Sequence, residues 1–311
     1  MEASNSKCNP EVSVIIPSYN SLGTIEACLR SLNDQETSAR FEVIVVDSST
    51  DGTAEMVAQN FPGVKLYSST ERKFPGDARN VGVANASSNL LAFTDADCFM
   101  GKQWIDTVIA AHRIHECPII GGVVDNGNPE NYIGWAYYFS EFAQWLPQTT
   151  PRPMDDIPTT CLTVKRWAWE KYGPFLEDTY CSDTAFNWKA VRDGYIPLFI
   201  PSIAVSHINV ATLGDFVRRK VFHGRCFSQV RCAEQKFSLF RRVAYILGSP
   251  LLPILLFSQR ARYVLMKHTY VREFVLSAPL VFAGLVAWSW GEMLGYWSKA
   301  QGKARPAGRR R

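Results

Sequence analysis

The chain has 311 residues, of which 47% are hydrophobic and 20% charged, a composition that builds a proper core and excludes disorder, collagen and a small disulfide scaffold. At roughly 150 residues per domain the length fits about two folded units. The net charge of +4 conceals two unlike halves: residues 1–207 carry 15 Lys and Arg against 25 Asp and Glu, and residues 208–311 carry 18 against 4.

Eight cysteines, with no Cys-x-x-Cys pair, no zinc-spaced cluster and no secretory leader ahead of them, predict reduced and mostly buried thiols in a cytosolic setting. Residues 12–16 are a β-branched run stopped by Pro17, and residues 21–32 place Leu22, Ile25, Leu29 and Leu32 at helical spacing. Residues 41–46 form a second apolar strand ending at Asp47, followed by a polar turn and a short helix over 53–59. Residues 64–67 read as a third strand, 77–86 as a helix, and 90–94 as a fourth strand that runs into Asp95-Ala96-Asp97. Near-continuous apolar strands separated by helices call for a mainly parallel sheet covered on both faces, an α/β fold. Ligands of such sheets bind beyond the carboxyl ends of the strands, which collects Pro17, Tyr19, Asn20, Asp47, Asp95 and Asp97 on one rim.

Acids crowded at strand ends repel one another unless a cation sits among them. Magnesium and manganese take oxygen ligands and are held by one or two carboxylates together with substrate phosphates, so Asp95 and Asp97 form half of a metal-diphosphate clamp. An isolated Asp-x-Asp is a weak signal. Its place directly after an apolar strand is what gives it weight.

Four motifs in order resemble the family 2 glycosyltransferases with their A-type nucleotide-sugar fold, over about residues 11–207. Val14-Ile15-Ile16-Pro17-Ser18-Tyr19-Asn20 is similar to that family's first strand and nucleotide loop. Val45-Val46-Asp47-Ser48-Ser49-Thr50-Asp51-Gly52-Thr53 is similar to the second, where the resemblance implies that Asp47 bonds the base. Gly76-Asp77-Ala78-Arg79-Asn80-Val81-Gly82 resembles the segment lying against the nucleotide, and Phe93-Thr94-Asp95-Ala96-Asp97 the metal motif. The resemblance implies Asp97 as a direct ligand of a manganese or magnesium ion, Asp95 as a contact to ribose or sugar, and Arg79 as a group that steadies the leaving diphosphate.

It further implies an inverting transfer from a nucleoside-diphosphate sugar, with a uridine diphosphate sugar as the family-level expectation. The general base would be Asp183, at the start of a helix over 182–192, although Ser182 stands where the family usually has an acid. His207 matches a histidine that in relatives completes the metal site or touches the diphosphate. The competing reading of Asp183 is a simple helix cap; that of the whole chain is a catalytically impaired sugar-nucleotide-binding scaffold. Nucleotidyltransferases and nicotinamide dehydrogenases are excluded, because no glycine-rich loop follows the first strand.

Residues 119–165 contain Trp135, Tyr137, Tyr138, Phe139, Phe142 and Trp145, which read either as an acceptor platform or as a helix packed into the core. Beyond residue 207 the cations flank long uncharged runs, 243–259 and 274–291, and form no stripe with interleaved base-stacking residues, which excludes nucleic acid as a partner. Both runs are near the lower length for a span. Trp288, Trp290, Tyr296 and Trp297 resemble an interfacial belt. A two-span hairpin would strand Arg260, Arg262, Lys267 and Arg272 on the far side, against the positive-inside bias, so in-plane or re-entrant helices fit better. The basic run Arg218-Arg219-Lys220, with Arg225 and with His223 as a second candidate for the role of His207, reads either as a segment that closes over the donor or, by preference, as a lipid-facing surface, and six further cations in 299–311 suit an anionic inner leaflet.

The resulting plan is a tail over 1–10, a catalytic domain over 11–207, a basic linker over 208–242, membrane-associated helices over 243–297 and a basic tail from 298. Its partners are a nucleotide sugar, a lipid-linked or envelope glycan acceptor, and membrane lipids, with the catalytic domain on the cytosolic face.

Overall fold

A computed structural model describes residues 9–148 and 150–298; Cys8 and the basic tail from residue 299 lie outside them. Four parallel strands come first in the chain: β1 (Val12–Ser18), β2 (Phe41–Asp47), β3 (Lys65–Ser68) and β4 (Leu90–Phe93). They alternate with α1 (Ile25–Asn33), α2 (Thr53–Asn60) and α3 (Pro75–Ala84). Every residue of β1 and β4 is buried, as strands covered on both faces require.

Three expected boundaries shift for local reasons. β1 continues through Pro17 to Ser18 beside β2, because β4 has already ended opposite Ile15 and no ladder partner needs the missing proline N–H. Residues 21–24 form a turn in which Thr24 and Ile25 donate to the Ser21 carbonyl, so α1 starts at Ile25. Pro75 opens α3 two residues early, at a first helical position where its lost N–H costs nothing, and the Asp77 carboxylate accepts from the Phe74 N–H at 3.2 Å.

The sheet then turns mixed. After β5 (Cys98–Met100) and α4 (Trp104–Ile114) come β6 (Ile119–Asn126), α5 (Tyr132–Phe142), the short β7 (Arg152–Pro153), β8 (Leu162–Lys165), α6 (Arg166–Tyr172), α7 (Ser182–Arg192) and β9 (Leu198–His207). The nine strands are ordered β3-β2-β1-β4-β8-β6-β9-β5, with β7 also on β9. β8 runs antiparallel to both β4 and β6, and β5 antiparallel to β9. This is the expected α/β class with a mainly parallel sheet.

Core packing accounts for the aromatic helix: Trp135, Tyr138, Phe139 and Phe142 of α5 are buried, and Tyr132 alone of its one-faced set is half exposed. The seven described cysteines are free, and all but Cys117 are buried. Beyond the sheet, α8 (Leu213–Glu234) and α11 (Val271–Trp297) pack on the catalytic side, joined by α9 (Leu239–Gly248) and α10 (Leu252–Lys267).

Candidate active site on the strand rim

The ends of β1 and β2 lie side by side because Ser18 is in register with Asp47. Asp47 is buried and accepts from the Ser49 N–H at 3.0 Å and the Ser49 hydroxyl at 2.6 Å. Asn20 closes the two loops on each other: its N–H donates to Ser49 Oγ (2.7 Å), and its Oδ1 accepts from the Thr50 N–H (3.0 Å). It does so from a left-handed backbone, φ 51°, which asparagine tolerates better than most residues. The Arg72 guanidinium lies 4.3 Å above the exposed Tyr19 ring. Together these residues form a shelf of aromatic and polar groups at the rim.

The metal motif occupies the turn from β4 to β5, and two registers determine what faces it. β8 runs antiparallel with Leu162 opposite Phe93, so Thr160 arrives beside Asp95 and donates to its Oδ2 at 2.9 Å. Arg79, itself buried, reaches the other oxygen from α3 and forms an ion pair with the partly exposed Asp95. Arg79 therefore acts on the rim through Asp95. On the other side Cys98 is in register with His207, and the Ile208 N–H donates to the Asp97 carbonyl at 2.8 Å. The result is Asp97 Oδ1 only 3.4 Å from His207 Nε2.

The tautomer of His207 gives that distance meaning. Asn209 is oriented by Nδ2–H donation to Asn126 Oδ1 (2.8 Å), which leaves its Oδ1 3.0 Å from His207 Nδ1. Nδ1 is thus the donor, and in the neutral imidazole Nε2 presents a lone pair to the Asp97 carboxylate. With the imidazole neutral two acceptors would face each other, an arrangement that a proton or a divalent cation between them satisfies. Burial pushes the Asp97 carboxyl above its ordinary value, with Asp95 adding to the rise and His207 opposing it. The set fits a divalent ion of the manganese or magnesium kind. Cys98 also lies near, but its soft sulfur suits a manganese or magnesium ion less well than oxygen and imidazole ligands do.

Asp183 is the second residue of α7: its Oδ1 accepts from the first-turn Thr184 N–H (3.0 Å), and its Oδ2 accepts from the Thr159 N–H (3.0 Å) and the Thr159 hydroxyl (3.1 Å). Beside it, Asp156 accepts from the Thr184 hydroxyl at 3.0 Å and the Asn187 amide at 2.8 Å. Burial, and then the Asp183 charge, raise the Asp156 carboxyl to about 7. Since Thr159 and Thr160 are adjacent, one short loop holds both Asp183 and Asp95.

Residues 13–169, half of the chain, match the model of the family described as glycosyl transferase family 2. The chain belongs to that family. It is 28% identical over 227 residues to glycosyltransferase AglE of Haloferax volcanii, covering 71% of this chain and 74% of that one. It is 25% identical over 232 residues to the pre-mycofactocin glycosyltransferase of Mycobacterium tuberculosis, 69% of this chain but only 46% of that one. Among solved structures, a mannosyltransferase from Pyrobaculum calidifontis in complex with GDP-Man and Mn2+ aligns over 92% of this chain and 88% of its own, at a TM-score of 0.61 and 20% identity. Residues 1–349 of Staphylococcus aureus TarS in complex with UDP-GlcNAc align over 91% and 90%, at 0.54 and 18%. These likenesses show the A-type glycosyltransferase fold.

In this glycosyltransferase several site groups have no local sequence signature. Thr160, Asp156, Arg72 and Asn209 reach the rim only through strand register or long loops. The basic run of α8 is split between the two directions expected for it. Lys220 is buried and ion-paired with Glu141 of α5, whose other oxygen lies 3.2 Å from His223 Nδ1. The Arg219 guanidinium faces Tyr137, Asp97 and Tyr180. Arg218, Arg219 and Arg225 are exposed, Arg219 on the side of the rim. The reason is packing: Phe222 stacks against Phe74 at 6.4 Å and meets Tyr180 edge-on at 5.5 Å, which turns this face of α8 toward the donor side.

Proposed function

We propose that the chain is a metal-dependent, inverting glycosyltransferase that passes a sugar from a nucleoside-diphosphate donor, a uridine diphosphate sugar by preference, to a lipid-linked or envelope glycan. It works at the cytosolic face of a membrane. The observation that carries this reading is the convergence of two potential ligand atoms, Asp97 Oδ1 and His207 Nε2 at 3.4 Å, beside the Arg79-bound Asp95. The neighbours solved with GDP-Man and Mn2+ and with UDP-GlcNAc support the donor class.

In this reading Pro17, Tyr19, Asn20 and Asp47 hold the nucleoside, and Asp95, fixed by Arg79 and Thr160, orients the ribose or sugar. When bound by Asp97 and His207, a manganese or magnesium ion supplies charge neutralisation for the departing diphosphate. Asp183 takes the proton of the acceptor hydroxyl as its oxygen bonds to the anomeric carbon, while the bond from that carbon to the diphosphate breaks on the opposite face. Thr159 aims the carboxylate for this step. A screen of nucleotide sugars for release of nucleoside diphosphate, with manganese and with chelator, tests the proposal. Release from one donor only when metal is present is expected; no turnover of any nucleotide sugar would overturn it.

A further inference from the structure

We propose that α9, α10 and the outer face of α11 lie flat on an anionic bilayer as one platform, and that neither long apolar segment crosses it. This deepens the membrane reading above and rests on it. Leu239–Lys267 and Val271–Trp297 both have the length and apolar composition of a span. Their packing separates the two possibilities.

One face of α11 is held by the catalytic domain from end to end. Its first half rests on α5, where the rings of Phe274 and Phe139 meet edge-on at 5.2 Å and the Tyr132 hydroxyl donates to the Leu276 carbonyl at 2.9 Å. Its second half touches the backbone of α8. A Cβ on Gly291 would sit 2.0 Å from the Val221 carbonyl oxygen, and one on Gly224 would sit 2.2 Å from that of Trp288. Buried within the contact, Glu292 accepts from the Trp288 indole (3.1 Å) and the Tyr296 hydroxyl (2.7 Å) and lies 3.5 Å from Arg231 of α8. If α11 crossed the bilayer it would draw α8 in with it, including Arg218, Arg225 and Arg231, at about 3 kcal/mol for each cation near the centre.

The opposite face is bare. Only 11% of the apolar window in Leu239–Lys267 is buried, and Phe240, Leu247, Leu255, Met266, Trp290 and Trp297 all stand exposed. Such an apolar face on a monomer marks a membrane or protein contact. Charge selects between them. Residues 239–297 carry six Lys and Arg against two acids, and one of those acids is the buried Glu292. Arg241, Arg262 and Arg272 stand exposed beside the apolar side chains. Cations bordering an apolar face complement anionic headgroups, whereas a second copy of this chain would bring like charges together.

The test uses the full chain in two arms. Sedimentation with vesicles of phosphatidylcholine, with and without phosphatidylglycerol, is compared for the parent and for the Phe240→Asp, Leu255→Asp variant. Binding that needs phosphatidylglycerol and drops by about tenfold or more in the variant is expected, with release of nucleoside diphosphate from donor in solution unchanged. In the second arm, His268→Cys, in the exposed turn between α10 and α11, is labelled with an impermeant maleimide in inside-out vesicles of an expression host, with the parent chain as background. Labelling from the side of the catalytic domain is expected. Labelling only after the vesicles are opened would show a hairpin that crosses and would overturn the proposal. So would failure to bind vesicles combined with self-association through this face. Binding and labelling as expected in a chain that turns over no nucleotide sugar would uphold the platform while the catalytic reading fell.

Discussion

At Asp183 a carboxylate oxygen is held by two donors of Thr159, and its charge stands next to that of Asp156. If Asp183 is the base, Asp183→Asn can keep the two Thr159 bonds on its one carbonyl oxygen, gives up the bond from the Thr184 N–H, and loses the proton transfer. The expected outcome is a fall in kcat of about 10²- to 10⁴-fold with donor affinity unchanged, read from single-turnover kinetics and nucleotide titration. Asp156 makes a separate prediction. Its folded value, about 7, is above its ordinary one, so the native state disfavours the charged form. Stability is therefore greatest at acid pH and declines as pH rises from the ordinary carboxylate range through about 7. Asp156→Asn removes this decline, and denaturant unfolding should show the variant more stable by about 1 kcal/mol or more at pH 8, with little difference at pH 5.

α5 and α8 are joined by Glu141, Lys220 and His223. Burial alone would raise the Glu141 carboxyl, but Lys220 and His223 outweigh it and hold it below the usual carboxylate range. A depressed carboxylate contributes stability above its unfolded value and loses it as pH falls through the folded one, so on the acid side the joint weakens below the usual carboxylate range; burial lowers the Lys220 ammonium, so it also weakens at alkaline pH as that proton is lost. Glu141→Gln leaves the Lys220 ammonium buried without a counter-charge and should cost about 3–5 kcal/mol, while the Glu141→Gln, Lys220→Met pair should cost less than the single change. Unfolding curves of the parent and the two variants measure both. The same joint shows what was legible in the sequence. The first four strands and their motifs were, because each is a short apolar run ending in turn residues, and the start of α7 at Ser182 was equally local. The inward face of α8 was not: Lys220 and Arg218 look alike in a basic run, and only the partner Glu141, 79 residues away, turns one inward. Thr160 likewise becomes a site residue only once β8 pairs with β4.

In the whole molecule, the rim of the sheet, the inner face of α8 and the aromatic α5 enclose the candidate site, and α11 braces α5 and α8 from behind. The length and apolar composition of the C-terminal runs were legible in the sequence. Their attachment to the catalytic domain depends on Gly224 and Gly291, whose significance appears only when two helices touch. The central claim is that Asp97 and His207 together hold the cation that receives the donor diphosphate. Calorimetric titration of the full chain with uridine and guanosine diphosphates, in manganese and in chelator, measures it most directly, with Asp97→Ala and His207→Ala alongside. The account predicts binding that requires manganese and weakens by about tenfold or more in either variant; equal affinity in chelator, or unchanged affinity in both variants, would contradict it.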